Sequence, residues 1–333
     1  MSPLFGRRRG GGQAPDRAQQ EDQERRDAES LARLEQGGIP LPAAERLAAL
    51  AAAAQQSPGG RPAFSSDLSV AEFALLHSLG IEPITLVMGS SIYHVGWQYV
   101  YYNAPTEFEA VSHAYNESRR LALGRLLEEA QTVGADAVVG VRIEQSGHDW
   151  APGAVEFIAI GTAVRLPAGL RGTAGPVLTD LDGQEFWQLY ASGIRPVGIV
   201  AQTSVHYEPA TQQTVQLMSG FFGSSWRNQE IRDYTRGVYA ARGKAIAGVS
   251  RQAQDLGADG IVGVQLSQQL HGHLVKQLGS MERQDLIVTL HVIGTAVRED
   301  PALADRAAAP KTALFLGTPP PGERPRAGAA ART

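Results

Sequence analysis

One motif is written twice in this chain. Gly134-Ala-Asp-Ala-Val-Val-Gly-Val141 returns as Gly257-Ala-Asp-Gly-Ile-Val-Gly-Val264, with six of eight positions identical. Each copy follows a helical pattern and leads to an apolar stretch ending in Gly-Thr-Ala-Val-Arg, at 161–165 and 294–298. Leu123, Leu126, Leu127, Ala130 and Val133 recur at helical spacing, and Ile246, Val249, Ser250, Ala253 and Leu256 occupy the same offsets, so one amphipathic stripe is repeated. Gly134 and Gly257 come next, where a left-handed residue ends a helix without a Cβ penalty. Beyond them Val139, Val141 and Ile143 alternate with Val138, Gly140 and Arg142, the pattern of a strand buried mainly on one face. The chain is a tandem duplication of a helix, a glycine stop and a strand.

The correspondence extends upstream. Ser69 with Glu72, and Asp182 with Glu185, have the spacing of a capping box, in which each side chain satisfies an orphan amide at a helix start. That role accounts for both glutamates without acid or ligand chemistry. Phe73 and Leu76 match Phe186 and Leu189, Gly80 and Gly193 stop the helices, and Pro83 and Pro196 forbid continuation. Strands are expected at 84–88 and 197–201.

These residues resemble the YbjQ family, commonly labelled a heavy-metal-binding domain. The carriers are the helix leading into Gly-Ala-Asp-Ala-Val-Val-Gly-Val and the closing Gly-Thr-Ala-Val, over about 67–165 and 180–298. The resemblance implies a small α+β domain that assembles into a ring, pentameric in single-domain members. The expected fold class is therefore α+β: two tandem YbjQ-like domains, each a small sheet packed by a main amphipathic helix, with disordered termini. The expected domains are 67–166 and 179–300, joined by a Gly- and Pro-bearing linker at 167–178. Residues 1–66 are expected to be mostly disordered around a short helical hairpin at 27–54, and 301–333 to be a disordered tail. In the hairpin, Leu31 and Leu34 precede Gly37-Gly38-Ile39-Pro40, and Leu41, Ala44, Leu47 and Leu50 follow, an arrangement similar to the short oligomerisation module SHOCT.

At 333 residues with 43% hydrophobic content the chain can fill two cores, and a formal net charge of −4 gives no general attraction to nucleic acid. The absence of cysteine removes disulfides, thiolate catalysis and thiolate metal sites together. Arg7, Arg8 and Arg9 lack the apolar core a signal peptide needs, and no transmembrane segment is written, so a cytoplasmic protein is expected. No phosphate loop, dinucleotide fingerprint, zinc-protease helix or nucleophile elbow occurs, and the expectation is a non-enzyme.

Candidate sites are few. His271 and His273 sit in an expected loop, Ser267–Gln284, with Glu282 and Asp285 as acidic neighbours. Together they are the candidate ligands for a divalent metal ion, the alternative being a solvent-exposed hairpin loop. Asp136 and Asp259 survive in both copies and are candidate pore carboxylates or turn acceptors. Tyr93-His94 and His206-Tyr207 swap order, which argues against a shared ligand geometry. Alternating Trp97, Tyr99 and Tyr101 suit an aromatic strand face, and the first copy's short loop carries His148 and Asp149. His291 aligns with Ile158, so it is expected to be packed and hydrogen-bonded. The leading expectation is a homo-oligomeric binding or scaffold protein, with a protein partner reached through the hairpin or the C-terminal tail. The alternatives are a genuine metal-binding protein and, behind it, an enzyme whose site forms between subunits.

Overall fold

The computed structural model describes residues 17–56, 63–96, 104–147, 153–172, 175–219, 228–275 and 282–304. Both capping boxes form. The Ser69 hydroxyl accepts the Glu72 amide at 3.3 Å while Glu72 takes the Ser69 amide at 2.6 Å, and Asp182 and Glu185 repeat this at 2.8 and 3.2 Å. They open α3 (Val70–Ser78) and α5 (Gly183–Ala191). The amphipathic stripes become α4 (Glu109–Thr132) and α7 (Arg232–Asp255), 24 residues each. Gly134 and Gly257 end them at φ 70° and 64°, values an L side chain rarely adopts.

Each helix is followed by a strand of an antiparallel sheet. In the first sheet β1 (Glu82–His94) and β3 (Ala137–Gly147) flank β4 (Ala154–Arg165), and in the second β6 (Ile194–Glu208) and β7 (Gly260–Val275) flank β8 (Arg283–Glu299). The expected strands at 84–88 and 197–201 are thus centres of longer ones, and Pro83 and Pro196 sit at register shifts where a missing ladder donor is tolerated. Ala122, Leu126 and Ala130 of α4 pack on Val87 and Phe157, while Ala241, Ala245 and Val249 of α7 pack on Val288, Leu290 and Val292.

The two copies interlock. The two-residue strand β2 (Thr106–Glu107), just before α4, pairs with Tyr207 and His206 of β6 in the second sheet. In return β5 (Val177–Leu178), the last two residues of the expected linker, lies parallel to Ala137 and Val138 of β3 in the first. The amides of Gly140 and Val141 then donate to the carbonyls of Leu181 and Thr179, both at 2.9 Å. The outer edge of β3 is therefore covered by the second copy. The corresponding edge of β7 has no strand beside it among the described residues.

Two expectations need correction. The N-terminal hairpin is longer than 27–54, comprising α1 (Arg17–Glu35) and α2 (Leu41–Gln56), and it belongs to the first core. Ile39 and Leu47 are buried with Leu126, Glu128 accepts the Ile39 amide at 2.9 Å, and Arg125 donates to the Gly38 carbonyl at 3.0 Å. A hairpin too short to bury much by itself gains a surface by lying on α4. Second, most of the supposed loop 267–284 is strand: β7 runs to Val275, so His271 and His273 are ladder residues opposite Ile287 and Asp285. The stretch is too polar to advertise a strand, and its pairing with the apolar β8 holds it there. Short helices α6 (Gln212–Ser219) and α8 (Pro301–Ala304) complete the described structure. Residues 1–16, 97–103, 148–152, 276–281 and 305–333, including Arg7–Arg9, the aromatic run, His148, Asp149 and the C-terminal tail, lie outside the described residues.

Candidate functional site

The seam between the copies holds the most unusual polar chemistry. The outer face of α4 lies on the back of the second sheet, and side chains of the helix continue the β6 ladder. The Phe108 amide donates to the Val205 carbonyl at 2.8 Å, and the Ser112 hydroxyl accepts the Val205 amide at 2.9 Å. One turn on, the Asn116 amide group behaves as a strand would. Its oxygen accepts the Thr203 N–H at 2.8 Å and its nitrogen donates to the Thr203 carbonyl at 3.0 Å. Arg119 follows, 5% exposed, donating to the Thr203 hydroxyl at 2.7 Å and to the Asn116 side chain. Its guanidinium also lies 5.7 Å from the centre of the Phe157 ring. No carboxylate pairs with Arg119 among the described residues, and burial lowers its pKa to about 10.

Thr203 links Arg119 to His291. The His291 Nδ1 lies 2.8 Å from the same hydroxyl, Tyr115 packs on its ring, and its Nε2 is buried with no hydrogen-bond partner among the described residues. His291 is thus packed and hydrogen-bonded, as its alignment with Ile158 leads one to expect. Burial first, and then the Arg119 charge, push its pKa down to about 4, so the ring is neutral at physiological pH. Thr203 accepts from Arg119 and still has its proton to give to Nδ1; in that tautomer Nε2 carries the hydrogen that has no partner among the described residues. A cavity of about 310 Å³ lies here, lined by Arg119, His291, Gln145, Phe157 and Leu266 among others.

The His291 shift has a testable sign. The folded state holds the ring neutral down to about pH 4, whereas the unfolded chain protonates near 6.5. The stabilising contribution is therefore full above pH 6.5 and is lost as pH falls towards 4. The difference is on the order of 3 kcal/mol at about 1.4 kcal/mol per pKa unit. Urea unfolding of His291→Ile should show a flatter stability profile than wild type through this window, and parallel profiles would contradict the assignment.

The sequence-predicted candidates are not gathered into one site. Asp136 accepts the Leu166 amide at 2.8 Å and pairs with Arg171 at 3.2 Å, while Asp259 accepts the Glu299 amide at 2.9 Å. Each thus ties the turn after a helix to the end of the neighbouring strand, the same work in both copies. His271 and His273 are two residues apart and share a face of β7. Asp285, opposite His273, is fully buried and already engaged: it accepts the Ala210 amide at 2.8 Å, the Tyr207 hydroxyl, and Arg283 Nε and Nη2 at 3.1 and 2.9 Å. Glu282 has contacts of its own beside Arg283. Among the described residues no group of three or more histidines and carboxylates is placed to hold a metal ion. The donors that the described residues bring together thus fall short of the three or four ligands a resident metal needs, and the chain has no cysteine sulfur for a soft one. A larger hollow of about 430 Å³ beside α6 contains Asp233, whose carboxylate is satisfied by Thr211 and Thr214.

The seam residues Asn116, Arg119 and Thr203 escape sequence reading, because polar residues in an amphipathic helix read as a solvated face. The available signal was the comparison of copies, which sets Asn116 against Tyr239, Arg119 against Arg242 and His291 against Ile158.

Among the described residues no helix is long and apolar enough to cross a membrane. No solved structure matches the chain. A curated protein of Mycobacterium tuberculosis named "Encapsulin nanocompartment protein Rv1762c" is 38% identical over 205 residues, covering 60% of this chain and 76% of the relative. A UPF0145 protein of Clostridium novyi is 40% identical over 91 residues, 26% of this chain and 86% of its own length. Another from Halobacterium salinarum is 48% identical over 60 residues, 18% of this chain and 56% of the relative. The model of the YbjQ family, described as "Putative heavy-metal-binding", matches residues 85–167 and 192–299, one segment in each copy. With both halves matched and the helix, glycine stop and strand repeated in each, the chain belongs to the YbjQ family.

Proposed function

We propose that this protein is a non-catalytic scaffold that assembles head to tail into a closed homo-oligomer, each joint between chains repeating the joint between its own two copies. The observation that carries this reading is that both halves of that joint recur, exposed, at opposite ends of the chain. Inside the chain the outer face of α4 meets the back of the second sheet. The outer face of α7 is its counterpart, and there Tyr239 is 65% and Ile246 37% exposed. The back of the first sheet is the other counterpart, with Met88 48% and Ile92 57% exposed.

The edges agree as well. Phe64 and Ser65 stand in the first copy where β5 stands in the second, so they are placed to line the open edge of β7 in a neighbouring chain. Arg242 replaces Arg119, and Glu144 replaces Ser267, so the joint between chains brings a carboxylate to the arginine that the internal joint lacks. A patch of this kind on both sides of a heterologous contact generates a ring if the rotation closes. The Mycobacterium relative's name, which mentions a nanocompartment, favours an assembly role over catalysis.

Native mass spectrometry of the full chain tests the reading. A defined oligomer is expected, reduced to single chains by Tyr239→Glu, which places a charge in the apolar joint. A wild-type monomer at micromolar concentration would refute it. In the same experiment near-stoichiometric zinc is expected to leave no retained ion. One zinc per chain, lost in a His271→Ala, His273→Ala variant, would instead establish those histidines as a metal site completed by residues beyond the described ones or by another chain.

A further inference from the structure

We infer that the cavity in the internal seam binds a small organic monocarboxylate, held by Arg119 and His291. This site lies within one chain, so the inference does not rest on the assembly proposed above.

The argument begins with what the fold does not require. Arg242 occupies the position of Arg119 on α7 and is exposed, and Ile158 occupies the position of His291 on β4. Among the described residues, an arginine buried without a carboxylate beside an imidazole nitrogen without a partner therefore sets this seam apart from the corresponding positions of the sister surfaces, although each carries a cost. Both groups bond the same Thr203 hydroxyl, at 2.7 and 2.8 Å, so the two nitrogens bonded to it lie within roughly two hydrogen-bond lengths of each other, with Nε2 across the imidazole ring from the bonded Nδ1. Both line the cavity. A fixed cation beside an unpartnered N–H is a complement for two acceptor oxygens.

The surroundings narrow the class of ligand. Among the described residues no acidic side chain lines the cavity, and Arg119 supplies one positive charge. Phe157, Ile143 and Leu266 furnish apolar wall, and Gln145 and Gln269 offer amides at its side. One positive charge with apolar walls suits a monoanion bearing a hydrocarbon body. A phosphate dianion would bury a second charge uncompensated. About 310 Å³ is at the small end of ligand pockets, which begin near 300 Å³.

The test follows the His291 imidazole resonances of the full chain by NMR during titration with benzoate and with butyrate. Benzamide and inorganic phosphate serve as comparators. At least one carboxylate should give a saturable shift, with benzamide and phosphate weaker by about tenfold or more, the scale of losing one charge-assisted contact. Calorimetry should show that affinity reduced about tenfold or more in His291→Ile and in Arg119→Gln. His291→Ile introduces the side chain that the sister copy carries at this position, and circular dichroism checks that both variants are folded. The wild-type discrimination between benzoate and benzamide stands even if a variant fails to fold. No saturable shift with either carboxylate, equal response to benzamide, tighter binding of phosphate, or undiminished affinity in the folded variants would each overturn the inference.

Discussion

Gly89→Ala should destabilise the protein severely, by about 3 kcal/mol or more, and clearly more than Gly248→Ala does. Both glycines lie where a main helix crosses the first long strand of its own sheet, but on opposite partners. In the first copy the strand supplies the glycine: a Cβ on Gly89 would sit 2.0 Å from the Ala122 carbonyl oxygen and 2.5 Å from the Leu126 nitrogen. Those are backbone atoms, and relief requires shifting α4, which also carries the hairpin and the seam. In the second copy the helix supplies the glycine, and a Cβ on Gly248 would meet Gln202 Cγ at 2.5 Å, so that one side chain must turn about χ1 and give up its bond to Gln252, a smaller rearrangement than moving a helix backbone. Gln202 aligns with Gly89 and Gly248 with Arg125, so the duplicated crossing has exchanged its small residue between partners. Chemical denaturation of the two variants measures the difference, and equal losses would contradict it.

Asp285→Ala should cost about 3–5 kcal/mol in metal-free protein, because it removes the one carboxylate that a buried cluster shares. The Tyr207 hydroxyl and the Ala210 amide would lose their acceptor, and Arg283 its ion pair. Burial, the larger cause of the raised Tyr207 pKa, persists without the carboxylate, so the phenol stays a donor and cannot compensate by ionising. Asp285→Asn keeps an acceptor for the amide and should lose less. Thermal unfolding of both variants distinguishes this role from metal ligation, for which the metal-free protein would lose little stability on substitution.

The local rules of the fold were legible in the residues. Capping boxes, glycine stops and alternating strands are short-range signals, and duplication printed each of them twice. What escaped depends on contacts between distant segments. The docking of Ile39 and Leu47 on α4 joins residues some eighty positions apart, and the hairpin's own stripe is too weak to announce it. The exchanged strands β2 and β5 are two residues long, so neither has a period to detect. The polar stretch 267–275 hid a strand for the complementary reason, since its order comes from β8. At the seam, Arg119 and His291 acquire meaning only once α4 lies on the second sheet. The mismatch of His291 with Ile158 was visible in the alignment of copies and correctly marked a packed position, yet spacing could not bring Arg119 beside it.

The most direct measurement for the head-to-tail account is native mass spectrometry of two variants, alone and mixed. Tyr239→Glu spoils the outer face of α7 and leaves the back of the first sheet intact; Ile92→Glu does the reverse. Each alone should run as a single chain. Mixed, they retain one sound joint between them and should form a one-to-one pair and nothing larger, the signature of a heterologous contact. Assembly of either variant alone, or failure of the mixture to pair, would contradict the account.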